Sequence, residues 1–402
     1  MNSGFDPAVR VTDSSLLVVD DNEDNRYTLT GRLRKLGYTN ISVACNGREA
    51  LDMMAAQSFD LVLLDVMMPE LNGYEVLERL KADSRLRDLP VIMISAVDQI
   101  ESVVRCIELG AEEYLPKPFN PTLLRARVGA CLEKKRLRDA VKANLSRLEN
   151  ELLAARRLQL DMLPRDFPHW STKTPLDVHA RMEPAREVGG DLYDFFFASP
   201  SVFCCMVGDV SGKGAAAAMF MARTRSLVRM AMELLQRDHP RKVSPAIAAS
   251  AVNRELCQDN RERMFVTLLL CFIDLGSGAV SYVNAGHPVP YLIRSVGSPE
   301  RLAGRPDAPL GVDAATDYEN RTETLLPGDV VFLYTDGVTE ATNAGGEFYS
   351  DHRLQAALER LSNAKAEHVV RTIEGGVAAF VGGTHIADDV TMLAVRWLPG
   401  AG

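Results

Sequence analysis

The chain has 402 residues, enough for two or three domains, and 47% hydrophobic residues can supply sizeable cores. Its 45 Lys and Arg face 54 Asp and Glu, and a net charge of -9 argues against a nucleic-acid-binding surface as its main output. The seven cysteines show no CxxC spacing and fit a reducing compartment, no apolar run is long enough to span a bilayer, and the N-terminus lacks a signal-peptide pattern, so no membrane contact and a cytoplasmic location are expected.

Residues 1–14 read as a tail, and 15–130 as a first domain. LLVV (Leu16 to Val19), ISVA (Ile41 to Ala44), LVLL (Leu61 to Leu64), VIMI (Val91 to Ile94) and EYL (Glu113 to Leu115) are apolar runs separated by enough chain for helices. That pattern predicts an α/β, doubly wound, five-stranded parallel sheet. In such folds the site lies beyond the carboxyl ends of the strands, where Asp20, Asp21, Asp65, Ser95 and Lys117 fall. Three carboxylates at one edge repel one another unless a cation sits among them, and all-oxygen ligation suits Mg²⁺ or Mn²⁺. Lys117 and Ser95 equip the same edge to hold an anionic phosphoryl group. A single strand-end Asp can equally be a helix cap.

The runs VVDDN, LLDVMMPELNGYE, ISA and YLPKPF resemble the receiver domain of bacterial response regulators over its whole length. The resemblance implies that Asp65 is the phosphoacceptor and that a sensor histidine kinase is the partner. It also implies a receiver Mg²⁺ held by Asp20, Asp21, Asp65 and the Met67 backbone carbonyl, with Lys117 on the phosphoryl oxygens. Ser95 and Tyr114 match the switch pair, although Tyr114 can also be plain core. Lys117-Pro118 is a candidate cis peptide, since such bonds are almost confined to proline.

Residues 131–164 are built from strong helix formers without Gly or Pro before Pro164. Val141, Leu145, Leu148, Leu152 and Ala155 form one seam, which predicts a helical, coiled-coil linker and a homodimer, or else packing of the seam onto one of the chain's own domains. Gly129 costs only about 1 kcal/mol in a helix interior, so the last receiver helix and this rod are expected to be continuous. The basic cluster Lys134 to Arg138 reads as a solvated face.

Residues 165–398 alternate differently. Strand-like runs recur at VHARM, YDFFF, VFCCMVGDV, FVTLLLCFIDL, VSYVNA, DVVFLYTDG and VTMLAVRW, with helical stretches at 214–237, 244–258 and 351–380. This predicts an α+β layered sandwich. Asp residues stand in GGDLYD, GDVSGKG, YTDGVTE and ADDVTM, mostly beside Gly, which admits close backbone approach. Asp191, Asp209, Asp336 and Asp388 have no matching His or Cys set, so hard-ion ligation is expected, and four carboxylates are more than one hydrated ion needs. Two such ions can drive phosphoester hydrolysis without a protein nucleophile. Each motif taken alone also reads as a turn or cap.

The order VGGDLYD, GDVSGKG, NAGHP, LYTDGV and DDVTM resembles the metal-dependent serine/threonine protein phosphatases of the SpoIIE and RsbU type (the PPM fold). That implies two Mn²⁺ or Mg²⁺. Asp209 with the Val210 carbonyl would bridge them, Asp191 and Asp388 would complete the second, and Asp336 is a further ligand. Whether Asp388 or Asp389 ligates stays open. His287 can be read as a general acid but is expected to shape a turn near the site, and Arg186 is a candidate phosphate contact. The substrate implied is a phosphoserine or phosphothreonine protein, a STAS-type anti-sigma-factor antagonist in partner-switching control of transcription, with no direct nucleic-acid contact. The segment ARRLQLDMLP matches the helix that joins sensor to catalytic core in that family. A non-catalytic adaptor on the same fold is the alternative. A GGDEF cyclase fails because Leu-Tyr-Asp follows Gly189-Gly190-Asp191, and GDVSGKG fails as a P-loop because Gly214 follows Lys213.

Overall fold

The computed structural model describes residues 13–96, 100–164, 175–238, 244–383 and 386–398. Most of the N-terminal tail and residues 165–174, where the second domain is expected to start, lie outside the described residues. The chain divides into two compact units, Met1–Leu148 and Glu149–Gly402.

In the first unit, β1 (Leu16–Val19), β2 (Ile41–Ala44), β3 (Leu61–Asp65), β4 (Val91–Ser95) and β5 (Glu113–Pro116) form one parallel sheet in the order β2-β1-β3-β4-β5. Between them lie α1 (Glu23–Lys35), α2 (Gly47–Ala56), α3 (Gly73–Ala82) and α4 (Ile100–Glu108). Asn22, Asn46 and Asn72 cap the first three helices by accepting backbone N–H bonds, which explains why polar residues follow each strand end so closely. Alternate residues of β1 and β3 face opposite sides. Leu17, Val19, Val62 and Leu64 join one core with α2 and α3, while Leu16, Val18, Leu61 and Leu63 join another with α1 and the following helix.

That helix, α5 (Pro121–Met162), runs unbroken through the last receiver helix and the rod, as the sequence suggests. The division between the two units falls inside it. Its first turns are receiver core, with Leu124, Val128, Cys131 and Leu132 buried. The basic cluster that follows is exposed except for Lys135, as the sequence suggests, and pairs with receiver groups. Lys134 pairs with Glu112, Lys135 with Asp60 at 3.2 Å, and Arg138 donates to the Asp88 carbonyl at 3.2 Å. Val141, Leu145, Leu148 and Leu152 are between 37% and 60% exposed.

The second unit is a sandwich of antiparallel sheets. One has the order β13-β10-β9-β8-β7, from β7 (Leu192–Ser199), β8 (Val202–Val210), β9 (Val266–Asp274), β10 (Ala279–Ala285) and β13 (Arg321–Thr324). The other has the order β12-β11-β14-β15-β6, from β6 (Leu176–Glu183), β11 (Tyr291–Ile293), β12 (Glu300–Arg301), β14 (Val330–Tyr334) and β15 (Val390–Trp397). Phe203, Cys205 and Val207 of β8 meet Val331, Leu333, Leu393 and Val395 of the facing sheet. The intervening Cys204 and Met206 point out to α6 (Ala215–Asp238) and α7 (Pro245–Cys257). On the opposite outer face, Val330, Phe332, Met392 and Ala394 pack against α9 (Ser350–Leu358) and α10 (Ala366–Val381). Strands covered on both faces read as continuous apolar runs, and so they do here.

The single helical stretch expected over 351–380 is two helices. They are separated at 359–365, where Asn363 takes a φ of 57 degrees, in the left-handed region that asparagine tolerates better than most residues. A one-turn helix, α8 (Asp336–Thr339), begins on the aspartate of YTDGV.

Leu160 and Leu163, at the end of ARRLQLDMLP, pack into the core between the two sheets. Leu163→Ala is expected to destabilise the second unit by about 2 to 5 kcal/mol, read from the midpoint of urea unfolding. A loss below about 0.5 kcal/mol, the range of surface substitutions, would contradict that burial.

Candidate functional site

At the carboxyl edge of the first sheet, Asp20, Asp21 and Asp65 each bring one carboxylate oxygen within 4.8 Å of the others. Asp20 and Asp65 are buried and Asp21 is exposed, so the cluster opens to solvent on one side. Lys117 Nζ bridges Asp20 Oδ2 and Asp65 Oδ1, each at 2.8 Å. Its backbone N–H donates to the Ser95 carbonyl at 2.8 Å, and the Lys117-Pro118 peptide is cis. Asp20 is held by the Asn22 N–H and by Asn25 Nδ2, both at 3.0 Å, while Arg26 ties down the Asp20 carbonyl at 2.7 Å. Burial, helped by Asp20 and Asp21, raises the Asp65 pKa to about 6 despite the Lys117 ammonium. Ser95 is buried beside Asp65's strand, and Tyr114 is partly buried against the core. Met67 is exposed at the cluster's edge.

A second acidic cleft lies in the sandwich, where the ends of both sheets meet. Asp191 precedes β7 and Asp209 lies near the end of β8, whereas Asp336 follows β14 and Asp388 and Asp389 precede β15. Asp209, Asp388, Asp389, Gly189, Gly190, Lys213 and Arg186 line the same cleft. Asp191 is fully buried, and burial together with Asp209 and Asp389 holds its pKa well above the carboxylate range. Burial, then Asp336, Asp388 and Asp389, pushes Asp209 up to about 7. Burial and Asp388 raise Asp336 too. Among the described residues, no three of these carboxylates converge within 4.8 Å as the receiver trio does. The set is spread more widely than the shell of a single ion.

The two adjacent aspartates of ADDVTM differ in occupation. Asp389 is buried and already used: its oxygens accept the Ala185 N–H at 2.8 Å and the Gly190 N–H at 2.7 Å. Asp388 is exposed, with Lys213 Nζ at 3.4 Å. The glycines therefore serve Asp389 first. A Cβ at Gly189 would collide with its carboxylate, and one at Gly337 with its carbonyl. Asp194, the last residue of GGDLYD, is no part of the cleft; Arg225 and Arg229 of α6 hold it at 3.0 and 2.6 Å.

His287 is buried behind Asp209. Its Nδ1 lies 2.9 Å from Thr267 Oγ1, which in turn reaches the Asp209 carbonyl at 3.4 Å, and its N–H donates to Asn284 Oδ1. Burial lowers its pKa to about 3, so the ring is neutral at physiological pH. Sequence reasoning singled out neither Thr335, whose hydroxyl donates to Asp191 Oδ2 at 2.9 Å, nor Gln159 of α5. The buried Gln159 carboxamide pairs with both backbone groups of Gly189, donating to its carbonyl at 2.6 Å and accepting its N–H at 3.1 Å. It lies inside ARRLQLDMLP, but only contacts distant in sequence reveal its role.

Comparisons with known proteins identify both domains. Residues 16–129 match the response regulator receiver domain family, and residues 199–398 match the Stage II sporulation protein E (SpoIIE) family. The chain is 32% identical over 278 residues to Protein IcfG of Synechocystis sp., covering 63% of this chain and 42% of that protein. It is 44% identical over 125 residues to the probable transcriptional regulator ycf27 of Cyanidium caldarium, covering 31% of this chain and 49% of that one. The chain thus spans about half or less of the length of these relatives. The SiaA-PP2C domain of Pseudomonas aeruginosa superposes with a TM-score of 0.56 at 19% identity, covering 63% of this chain and 99% of that domain, a likeness of fold. Fold and family define a class, a receiver joined to a SpoIIE-family domain. This chain carries both, a response regulator receiver domain followed by a SpoIIE-family domain with the fold of a PP2C domain.

Both clusters offer only oxygen donors, a set that fits Mg²⁺ or Mn²⁺ rather than zinc. A carboxyl whose pKa is raised on folding binds its proton more tightly in the folded state, so folding loses stability as pH rises from the unfolded value through the folded one. For Asp65 and Asp209 that window runs from about 4 to about 6 and 7. Cations that neutralise the clusters should stabilise the fold more at pH 7.5 than at pH 5.5. Thermal unfolding with and without Mn²⁺ tests this, and an equal shift at both pH values would contradict it.

Proposed function

We propose that the chain is a two-component response regulator in which phosphorylation of Asp65 by a sensor histidine kinase controls hydrolysis of a phosphoserine or phosphothreonine protein. The observation that carries this reading is the acidic cleft at the meeting of two sheets, whose buried carboxylates hold one another above their ordinary pKa. Such a site is unfavourable until divalent cations enter it. Asp191, Asp209, Asp336 and Asp388 would hold two Mn²⁺ or Mg²⁺, with the Val210 carbonyl beside Asp209. Asp388 is assigned in preference to Asp389, whose oxygens are engaged by backbone N–H groups. The bound cations supply an activated water and shield the phosphoryl charge. Lys213 and Arg186, on the rim of the cleft, can meet an incoming phosphate, and neutral His287 leaves protonation of the departing serine to water.

In the receiver, Asp20 and Asp21, with Asp65 and the Met67 carbonyl, would hold Mg²⁺. Lys117, already between Asp20 and Asp65, would pair with the phosphoryl oxygens, while Ser95 and Tyr114 act as the switch. The physical link is α5. Its start is receiver core, and at its other end Gln159 grips Gly189, two residues from Asp191. The exposed seam of Val141, Leu145, Leu148 and Leu152 suits parallel pairing of two copies into a coiled-coil homodimer. A STAS-type anti-sigma-factor antagonist in the cytoplasm is the substrate proposed.

With Mn²⁺, the full chain should dephosphorylate such a protein, and Asp209→Asn should reduce the rate at least about 100-fold while unfolding stays cooperative. Equal turnover by the variant would refute the cleft as the active centre. Beryllium fluoride, a phosphoryl mimic, should change the rate of the wild type but not of Asp65→Asn. Pro at both Leu148 and Leu152 should abolish that response and leave basal turnover in place; a response that survives the prolines would exclude α5 as the link.

A further inference from the structure

The acidic residues of the cleft come from two different sheets. Asp191 and Asp209 belong to the ends of β7 and β8, and Asp336 and Asp388 to the ends of β14 and β15. Cations shared between them need the two halves at a fixed spacing, because Mg²⁺ tolerates little departure from octahedral geometry. Carboxylates that repel one another cannot set that spacing themselves.

Thr335 stands where the halves meet. It is completely buried and directly precedes Asp336. Its position, at the residue before α8, is one where Thr normally caps the helix with its hydroxyl, yet Thr335 makes no side-chain cap bond. The hydroxyl is directed across the cleft instead. It donates to Asp191 Oδ2 at 2.9 Å and accepts the Thr391 N–H at 3.0 Å. The Thr335 N–H in turn donates to the Thr391 carbonyl at 3.0 Å, which locks this residue to the start of β15. A hydroxyl has one proton to give. With the Thr391 N–H filling an acceptor direction, that proton goes to Asp191 at 2.9 Å in preference to the Asp389 carbonyl, the other acceptor in reach, at 3.5 Å. The Thr391 hydroxyl is buried near the same carboxylate and makes no hydrogen bond among the described residues. Packing alone needs none of this, since valine fills the same volume.

We propose that Thr335 is a positioning residue of the phosphatase cleft: its hydroxyl ties the Asp191 carboxylate of one sheet to the strand end that carries Asp336 in the other. The cation-binding half-sites are thereby held at working distance before any cation arrives. This rests on the phosphatase reading above. Partners of this kind, one step behind the ligands, typically contribute 10- to 100-fold in metal affinity.

The test is Mn²⁺ binding by the full chain, followed by calorimetry, together with the Mn²⁺ and substrate dependence of dephosphorylation. Thr335→Val should weaken Mn²⁺ binding about 10- to 100-fold and raise the Mn²⁺ needed for turnover in step. KM for the phosphoprotein at saturating Mn²⁺ should stay within about 3-fold, because the residue does not touch substrate. Thr335→Ser, which keeps the hydroxyl, should bind Mn²⁺ within about 3-fold of wild type. If the valine variant does not unfold cooperatively, Thr335→Ala, which leaves room for a water, takes its place in the same comparison. A folded valine or alanine variant with wild-type Mn²⁺ affinity overturns the proposal, and so does a serine variant as impaired as the valine. Wild type that binds no Mn²⁺ at the cleft and hydrolyses no phosphoprotein would instead reject the phosphatase reading itself.

Discussion

Mutual repulsion among buried carboxylates is the constraint that shapes both ends of this chain. In the receiver, Asp20 and Asp65 are forced together under cover, and Lys117 is the cation that the protein itself supplies. In the sandwich the same problem is larger. Asp191, Asp209 and Asp336 are all raised in pKa by burial and by neighbouring aspartates, and the ammonium of Lys213, beside exposed Asp388, offsets this only in part at Asp336. Bringing such groups together costs free energy that the rest of the fold must supply. A site that folding makes unfavourable is one that a divalent cation makes favourable.

Much of the surrounding structure can be understood as scaffolding for that arrangement. Two sheets with a shared apolar core place four strand ends at one edge. Gly189 and Gly337 lack side chains because Asp389 occupies the space beside them, and Asp389 fixes the GGD loop through the Ala185 and Gly190 N–H groups. Gln159 holds the same loop from the end of α5. A displacement of α5 that broke the paired Gln159 contacts would release Gly189, and Asp191 lies two residues further on. The paired Gln159 contacts thus tie the end of α5 to the loop that carries Asp191.

The receiver was almost fully legible in the sequence, because its strands are short apolar runs and its reactive residues follow them directly. LLVV with Asp20 and LVLL with Asp65 are local patterns, and the parallel fold brings their ends together without further information. In the sandwich the long strands β8, β9 and β15 were equally plain, being apolar along most of their length. The short strands β11, β12 and β13 were not, since two to four residues such as Glu300 and Arg301 carry little alternation to detect. The break between α9 and α10 was hidden because no Gly or Pro marks it. Within ADDVTM the sequence could not separate two adjacent aspartates. What separates them is the set of N–H groups about 200 positions earlier in the chain that Asp389 accepts. Thr335 and Gln159 were silent for the same reason: a Thr before a helix reads as a cap, and a Gln on a helix as solvated surface.

The account's central claim is that these carboxylate clusters are cation sites, one in the receiver and a wider one in the sandwich. Equilibrium dialysis of the full chain against Mn²⁺ tests it most directly. The expected result is about three ions per chain, with Asp65→Asn removing about one and Asp209→Asn about two, each independently of the other. A stoichiometry that neither substitution changes, in variants that still unfold cooperatively, would contradict it.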